Sequence, residues 1–153
     1  MYLREQQLKF IASVFKLAIK ELNNVMGPES IQTIFRLIGE AEGERIARVL
    51  TKKYKVDKWE SNDYLNKMVK DVIIPTLDEE NVQFKIENDE FTLKLGKCPF
   101  RRSGLAIYDK FYCTYTEGMI ETAIKKALGD IEFKTDSLIA DKASHCTFKI
   151  KLK

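Results

Sequence analysis

Apolar residues in the first third of the chain recur every three or four positions, which is the spacing of one face of an α-helix. This periodicity predicts two long helices, over residues 2–25 and 30–54. Gly27 and Pro28 separate them, because Pro28 cannot donate a helix hydrogen bond and Gly27 tolerates the backbone conformation of a helix C-cap. The stripe of the first helix is formed by Leu8, Ile11, Phe15, Ala18 and Leu22.

Two glycines interrupt the second predicted helix. Gly39 and Gly43 are one helical turn apart, so they lie on one helix face, and their missing Cβ atoms allow another backbone to come close. We interpret this pair as a site of tight helix–helix packing, and a binding groove is the less favoured alternative.

The pattern changes after the third predicted helix, which spans residues 61–72 and should end before Pro75. From residue 82 onward apolar and polar residues alternate, and this period of two is typical of β-strands. The Asn88-Asp89 pair divides the alternating run, so we predict a β-hairpin over residues 82–95.

The last third of the chain combines one more helix with two more strands. A helical stretch is predicted over residues 105–128, with a break near Cys113. Alternating residues over 131–133 and 148–152 predict the third and fourth strands.

Together these elements predict a fold of the α+β class. N-terminal helices, in a helical part over residues 1–75, pack with a C-terminal four-stranded antiparallel sheet and one long helix, in a sheet-containing part over residues 80–153. We predict a single domain over residues 1–153, since this length is ordinary for one domain and allows a core without disulfide support.

The composition is 44% hydrophobic and 32% charged, with a formal net charge of +3. This balance is typical of a soluble globular protein and excludes a disordered chain. Nucleic acid is not an expected partner, because the excess of positive charge is small. No apolar run is long enough to span a membrane and no signal peptide is visible, so we predict a cytoplasmic protein. A homodimer is expected, since two-fold dimers are the commonest soluble assemblies.

Three cysteines, Cys98, Cys113 and Cys146, carry the main chemical signal. Each is predicted at the end of a strand or helix, and such ends can converge at one edge of a sheet, where three thiolates would bind one metal ion. The helix dipole would favour the thiolate of Cys113. Zinc is the expected metal, because thiolates are soft ligands and zinc accepts a tetrahedral shell. The alternative is that all three are small buried residues, which is the usual role of free cysteines.

His145, the only histidine, is the expected fourth metal ligand. Neighbouring residues of a strand point to opposite faces, so His145 and Cys146 reach the same ion only if the chain is irregular there. Asp141, Asp136 and a water molecule are the alternatives. A shell filled by three thiolates and a histidine leaves no open position, and the zinc would then be structural.

The cysteines lie in short motifs that resemble the 4-vinyl-reductase-type domain family. The motifs are Cys98-Pro99-Phe100, then Cys113 followed by Gly118, and then Cys146-Thr-Phe148. The resemblance implies an α+β fold similar to that of TRAPP vesicle-tethering subunits and of haem-nitric-oxide-binding domains. It also implies a domain that binds small, often hydrophobic molecules and that holds zinc through cysteines.

The chain also departs from the pattern of that family. Many members carry a glutamate and a further cysteine shortly before the closing cysteine, with a glycine between them. Here those positions fall near Thr135, Leu138 and Ala143. Cys98 and His145 would therefore replace the missing ligands.

An aromatic-rich stretch after Cys98 is the candidate ligand site. Phe100, Tyr108 and Tyr112 are the predicted ligand-binding residues, because aromatic side chains form an apolar wall and tyrosine adds polar groups. Ordinary packing of a helix on the sheet is the alternative.

Three functions remain open, in order of preference. The first is a binding or sensing domain for a small hydrophobic molecule with a structural zinc. The second is a metal-dependent or reductase-type enzyme, which would need an open metal position. The third is a protein-interaction scaffold resembling a vesicle-tethering subunit, and a large exposed apolar patch on the first or second helix would favour it. No catalytic residue is assigned, since the chain has no nucleophile–histidine–acid set, no Gly-rich phosphate loop and no HExxH motif.

Overall fold

A computed structural model describes residues 2–105 and 109–153. Within these ranges the helices come first and a hairpin, a long helix and two further strands follow, so the α+β class is confirmed. The helices are α1 (Tyr2–Met26), α2 (Pro28–Tyr54), α3 (Ser61–Met68), α4 (Ile74–Leu77), α5 (Pro99–Arg102) and α6 (Phe111–Leu128). The strands are β1 (Val82–Glu87), β2 (Glu90–Leu95), β3 (Ile131–Ser137) and β4 (Cys146–Leu152).

The two long N-terminal helices meet at Gly27, as predicted. Gly27 has a φ of 84°, a left-handed conformation that glycine adopts without steric cost. Pro28 is the first residue of α2, where a backbone N–H has no helical partner in any case. The chain therefore reverses between α1 and α2 within a single residue.

The third helix differs from its prediction. After α3 the chain forms one π-helical turn, Val69–Ile73, and continues as α4. Pro75 lies in the first turn of α4, where its missing N–H breaks no hydrogen bond. The predicted end before Pro75 is therefore wrong, and the helix ends at Leu77, after which Asp78 has a φ of 69°.

The sheet has the strand order β1-β2-β4-β3, and every neighbouring pair is antiparallel. Asn88 and Asp89 both have positive φ and form the tight turn between β1 and β2. The predicted four-stranded antiparallel sheet is confirmed. Its buried face is formed by Phe91, Leu93, Leu95, Phe148 and Ile150.

The long helix α6 begins later than predicted. Gly104 and Lys110 have left-handed φ values of 75° and 58°, which a right-handed helix does not include. The prediction of helix is therefore wrong at Leu105, Asp109 and Lys110, while residues 106–108 lie outside the described residues.

Helices α2 and α6 pack backbone against backbone. A Cβ atom on Gly39 would lie 2.2 Å from the carbonyl oxygen of Tyr115, and one on Gly43 would lie 2.6 Å from that of Met119. Only glycine permits this separation, so the predicted tight helix–helix packing at the glycine pair is confirmed.

The main hydrophobic core combines α2, α3, the π-helical turn and α6 with the buried face of the sheet. Tyr64 is fully buried, and its hydroxyl donates a hydrogen bond of 2.6 Å to the carbonyl oxygen of Ala123, which joins α3 to α6. In the part of the chain described, no helix combines the length and the apolar composition that crossing a membrane requires.

Candidate functional site: an apolar cavity with a thiol wall

A cavity of about 490 Å³ lies between α2, the π-helical turn with α4, the sheet and α6. Small-molecule sites in proteins usually have volumes of about 300–1,000 Å³, so this one is large enough for a ligand. Much of its surface is aliphatic or aromatic. The apolar residues that form its deepest part are Ile46, Leu50, Ile73, Leu95, Leu138 and Phe148.

All three cysteines line this cavity. Cys98 caps the short helix α5, Cys113 lies in the first turn of α6, and Cys146 opens β4. Each is partly buried and none forms a disulfide. The structure therefore brings together the three cysteines that the sequence separates.

The environment of Cys113 and of Cys146 favours the neutral thiol. Burial raises the pKa of Cys113 to about 12, and the nearby Cys146 and Cys98 raise it as well. Burial also raises the pKa of Cys146, although the N–H of Ile139 donates to its sulfur at 3.3 Å and opposes the shift. At Cys113 burial therefore opposes the effect of the helix N-terminus, which favours a thiolate.

His145 does not line the cavity. Its Nδ1 lies 2.8 Å from the hydroxyl of Ser144, and its ring lies beside Gly96. The alternation along β4 places Cys146 with Phe148 on the cavity side and leaves His145 at the strand end.

The alternative fourth ligands are also occupied elsewhere. Asp141 forms an ion pair of 2.8 Å with Lys110, and Asp136 forms one of 2.8 Å with Lys149. Among the described residues, no three His, Cys, Asp or Glu side chains are placed to hold one metal ion. The described arrangement therefore does not itself bring a zinc shell together at one point, and zinc at these residues stays a prediction.

Two of the three predicted ligand-binding residues lie in the cavity wall. The rings of Phe100 and Tyr112 stack with centroids 4.6 Å apart, and Tyr115 meets Phe100 edge-on at 6.0 Å. Tyr108, the third, lies outside the described residues. Burial raises the pKa of Tyr112 and of Tyr115, so both phenols are neutral donors. Within the described part of the chain, the Tyr112 hydroxyl makes no hydrogen bond.

Four of the five charged residues in the cavity lining form two ion pairs, and the fifth, Lys97, lies 3.7 Å from Glu80 outside the lining. Arg45 binds Glu42 at 2.6 Å, and Lys53 binds Asp71 at 2.6 Å, where the Tyr54 hydroxyl also donates at 2.7 Å. Hydrogen bonds from these cations lower the pKa of Glu42 and of Asp71, so both carboxylates are ionised at neutral pH. The lining of the cavity therefore combines apolar side chains with thiols and neutral phenols. The cations of the lining each already have a carboxylate partner.

A smaller polar cleft of about 320 Å³ lies on the other side of Cys113 and Leu138, which line both spaces. Glu117 lies in this cleft, and burial raises its pKa. Its helical neighbour Glu121 binds Arg36 instead, so the two carboxylates do not act as a pair.

Sequence reasoning missed the part of the wall that comes from α2 and the π-helical turn. Ile46, Val49, Leu50 and Lys53 recur at helical spacing, which is the same signal that a core-facing stripe gives. The only local signal for the π-helical turn was Pro75 within a helical pattern, and this suggested an end rather than a widened turn.

Comparison with solved structures shows the fold. The sensory domain of the transcription activator PoxR, described as phenol-responsive and solved with phenol, has a TM-score of 0.63 at 14% identity, covering 92% of this chain and 74% of that one. A trafficking protein particle complex subunit 3 from Naegleria fowleri, covalently bound to palmitic acid, has a TM-score of 0.60 at 13% identity, covering 100% and 97%.

An H-NOX protein from Shewanella oneidensis in the Fe(II)NO state has a TM-score of 0.51 at 17% identity, covering 90% of this chain and 72% of that one. The similarity in fold to TRAPP subunits and haem-nitric-oxide-binding domains is therefore confirmed. No curated protein matches the chain in sequence. One family model, described as methanogen output domain 1, matches residues 14–151.

Proposed function

The chain belongs to the methanogen output domain 1 family, and we propose that it is a binding or sensing domain for a small, uncharged, largely apolar molecule. The observation that carries this proposal is the cavity of about 490 Å³ between α2, α6 and the sheet. The family that matches is not the 4-vinyl-reductase type that the cysteine motifs resemble.

The structural neighbours support an apolar ligand. The PoxR sensory domain is described with phenol and the Naegleria fowleri subunit with palmitic acid, and both molecules are mainly hydrocarbon. Identities of 13–14% mean that only the fold is shared, so these ligands indicate a chemical class and not an identity.

The paired charges favour a neutral ligand over an anion. Arg45 and Lys53 each already bind a carboxylate, so a ligand carboxylate would lose water without gaining a free cation. A hydroxyl, by contrast, finds donors and acceptors in Tyr112 and in the thiols. We therefore expect decanol to bind more tightly than decanoate.

The test is calorimetric titration of the full chain with decanol, decanoate and phenol, beside one cavity-filling variant. Thr116 lines the cavity and Thr33 does not, yet both hydroxyls donate to the carbonyl oxygen four residues earlier, at 3.1 and 3.0 Å. Thr116→Phe should lower decanol affinity at least about tenfold, because the ring occupies ligand space. Thr33→Phe is the matched control and should bind as the wild type does.

Two outcomes would contradict the proposal. One is that none of the three probes binds and that native mass spectrometry of the purified protein finds no small molecule. The other is that Thr33→Phe and Thr116→Phe weaken binding equally, since the probe would then bind outside the cavity.

Zinc at Cys98, Cys113, His145 and Cys146 is a separate proposal, and it needs these side chains to move closer together than the described arrangement has them. Elemental analysis of the purified protein beside Cys113→Ser tests it. One zinc per chain, lost in the variant, would support the site. Wild-type protein without stoichiometric zinc would refute it and leave the apolar cavity as the sole functional feature of this region.

One observation supports a scaffold function, the third function that the sequence left open. Both α1 and α2 expose large apolar side chains. We propose that this surface serves assembly of the domain and that the cavity serves ligand binding. The enzyme alternative stays a prediction, and no observation on the described residues favours it.

A further inference from the structure

Helix α1 exposes an apolar surface along its whole length. No residue of Tyr2–Met26 is buried, and Phe10 and Leu17 are 70% and 61% exposed. A helix whose apolar surface is this wide is normally covered, since a contiguous exposed apolar patch marks an interaction site. The large apolar residues of this surface are Leu3, Leu8, Phe10, Ile11, Val14, Phe15, Leu17 and Leu22.

The rest of the chain holds α1 along one side only. Ile19 packs against the cluster around Phe35 and Tyr112, and the Lys16 ammonium donates to the carbonyl oxygen of Gly104 at 3.1 Å. Ile11 and Val14 form the centre of the apolar surface. They lie on a different side of the helix from Ile19 and Lys16, and both are exposed.

The sequence of α1 is partly self-complementary about its middle. Starting between Ala12 and Ser13 and moving outward, four large apolar residues on one side have a large apolar residue at the same distance on the other. The pairs are Ile11 with Val14, Phe10 with Phe15, Leu8 with Leu17, and Leu3 with Leu22. Two antiparallel copies of α1 would therefore bury apolar side chains against apolar side chains at these positions.

One pair of opposite charges on the apolar face obeys the same symmetry. Arg4 and Glu21 are equally far from the middle, and at 3.6 residues per turn both lie on the apolar face, so each would meet its opposite charge on a second copy. Lys9, Lys16 and Lys20 lie on the opposite face of the helix and stay clear of the contact.

We propose that a second copy of this chain covers α1, with the two α1 helices antiparallel about a two-fold axis between Ala12 and Ser13. This goes beyond ligand binding, because it assigns a self-association surface that is separate from the cavity. A closed two-fold contact uses the same patch on both copies, and the symmetric sequence of α1 meets that requirement.

The surface is long enough for an extended contact between two copies. The helix has 25 residues and, at 1.5 Å per residue, a length of about 37 Å. Stable interfaces bury about 800 Å² on each partner. The large apolar side chains of α1 supply part of such an area, and Leu37 and Ile38 of α2 are also exposed. A membrane surface would not supply a partner for Glu21, and for this reason a second copy is favoured.

The first experiment measures the mass of the full chain by light scattering and sedimentation between about 1 and 100 µM. The wild type should be a dimer. Ile11→Glu places a charge at the centre of the interface and should raise the dimer Kd at least about a hundredfold, with an unchanged circular dichroism spectrum. Ser13→Glu, two residues further on and on the polar side of the same helix, is the matched control and should stay dimeric.

A charge exchange tests the antiparallel arrangement. Arg4→Glu and Glu21→Arg should each raise the dimer Kd up to about tenfold, because like charges would then face each other. The double variant R4E/E21R should restore wild-type dimerisation. These two residues lie far apart within one helix, so only a contact between copies can produce this rescue.

A monomeric wild type at every concentration would overturn the proposal, and so would dimers that Ile11→Glu leaves intact. Failure of R4E/E21R to restore the dimer would refute the antiparallel arrangement. Sedimentation of the wild type with phosphatidylcholine–phosphatidylglycerol vesicles, in the absence of a dimer, would instead assign α1 to a lipid surface.

Discussion

Helices α1 and α2 are neighbours of almost equal length, 25 and 27 residues, yet the chain uses them in opposite ways. α1 buries no residue, although it carries many large apolar side chains. The buried residues of α2 are Ile31, Phe35, Gly39, Gly43, Ile46, Ala47 and Leu50. The difference shows that apolar content alone does not decide which helix becomes core.

What distinguishes α2 is the fit of its backbone. Gly39 and Gly43 allow α6 to approach so closely that a Cβ atom on either would clash with backbone atoms of α6. This approach anchors α2, and the next turns of the helix can then line the cavity with Ile46 and Leu50. α1 has no such glycine face, so its apolar side chains stay available to a partner.

The largest expected effect comes from breaking that fit. Gly39→Val should lower the free energy of unfolding by about 5 kcal/mol or more, because the clash is with backbone, which no side-chain rotation relieves. Urea denaturation measures it. Ala41→Val on the exposed side of α2 is the matched control, with a loss of less than about 1 kcal/mol. Equal losses in the two variants would mean that helix propensity, and not close packing, sets the cost.

A second pair of variants compares the two helices directly. Leu50→Ala removes a buried side chain of α2 and should lower the free energy of unfolding by about 2–5 kcal/mol. Leu17→Ala removes an exposed side chain of α1 and should cost less than about 0.5 kcal/mol in dilute protein, where the monomer dominates.

Protein concentration sharpens this comparison. If α1 forms the dimer contact, the destabilisation by Leu17→Ala should grow as the protein concentration rises, because association stabilises the folded chain. The effect of Leu50→Ala should change little. If the destabilisation by Leu17→Ala stayed the same over a hundredfold range of concentration, α1 would not form the dimer contact.

Much of the fold was predictable from periodicity. The helices on both sides of Gly27, the hairpin at Asn88-Asp89 and the strand at Phe148 each carry a local pattern that their backbone conformation explains. The prediction failed where the pattern was ambiguous. Leu105 begins an apolar run, but the left-handed backbone at Lys110 delays the helix, and lysine carries no signal for that conformation.

The site was harder to predict than the fold. Cys98, Cys113 and Cys146 do converge on one cavity, because each lies at the end of an element that borders it. Spacing alone could not show that burial raises the pKa of Cys113 and of Cys146 or that His145 is not part of the cavity lining, since both depend on the neighbours in three dimensions. The cavity wall from α2 had the same periodicity as a core stripe, so the sequence could not distinguish them.

A third comparison is between Tyr112 in the cavity wall and Tyr64 in the hydrophobic core. Tyr112→Phe should weaken decanol binding about five- to tenfold and leave stability unchanged, because its hydroxyl has no partner among the described residues. Tyr64→Phe removes the buried hydrogen bond to Ala123 and should lower the free energy of unfolding by about 1 kcal/mol without affecting the affinity. Titration calorimetry and urea denaturation of both variants provide the two readouts. If Tyr64→Phe lost as much affinity for decanol as Tyr112→Phe, the affinity would depend on the stability of the whole fold and not on the cavity wall.

The smallest expected effect concerns how α2 is tied to the π-helical turn. Hydrogen bonds from Lys53 and Tyr54 lower the pKa of Asp71, so the ionised carboxylate stabilises the fold above the pKa that Asp71 has in the unfolded chain. This contribution is lost as the pH falls through the lower pKa of the folded state. Asp71→Asn should therefore lose stability at neutral pH and approach the wild type near pH 3, about one unit below the ordinary pKa of aspartate. Asp57→Asn, at an exposed site, is the control for the other acidic groups. Urea midpoints at both pH values measure the difference, and a deficit that stays constant between them would show that the carboxylate charge does not hold α2 to this wall of the cavity.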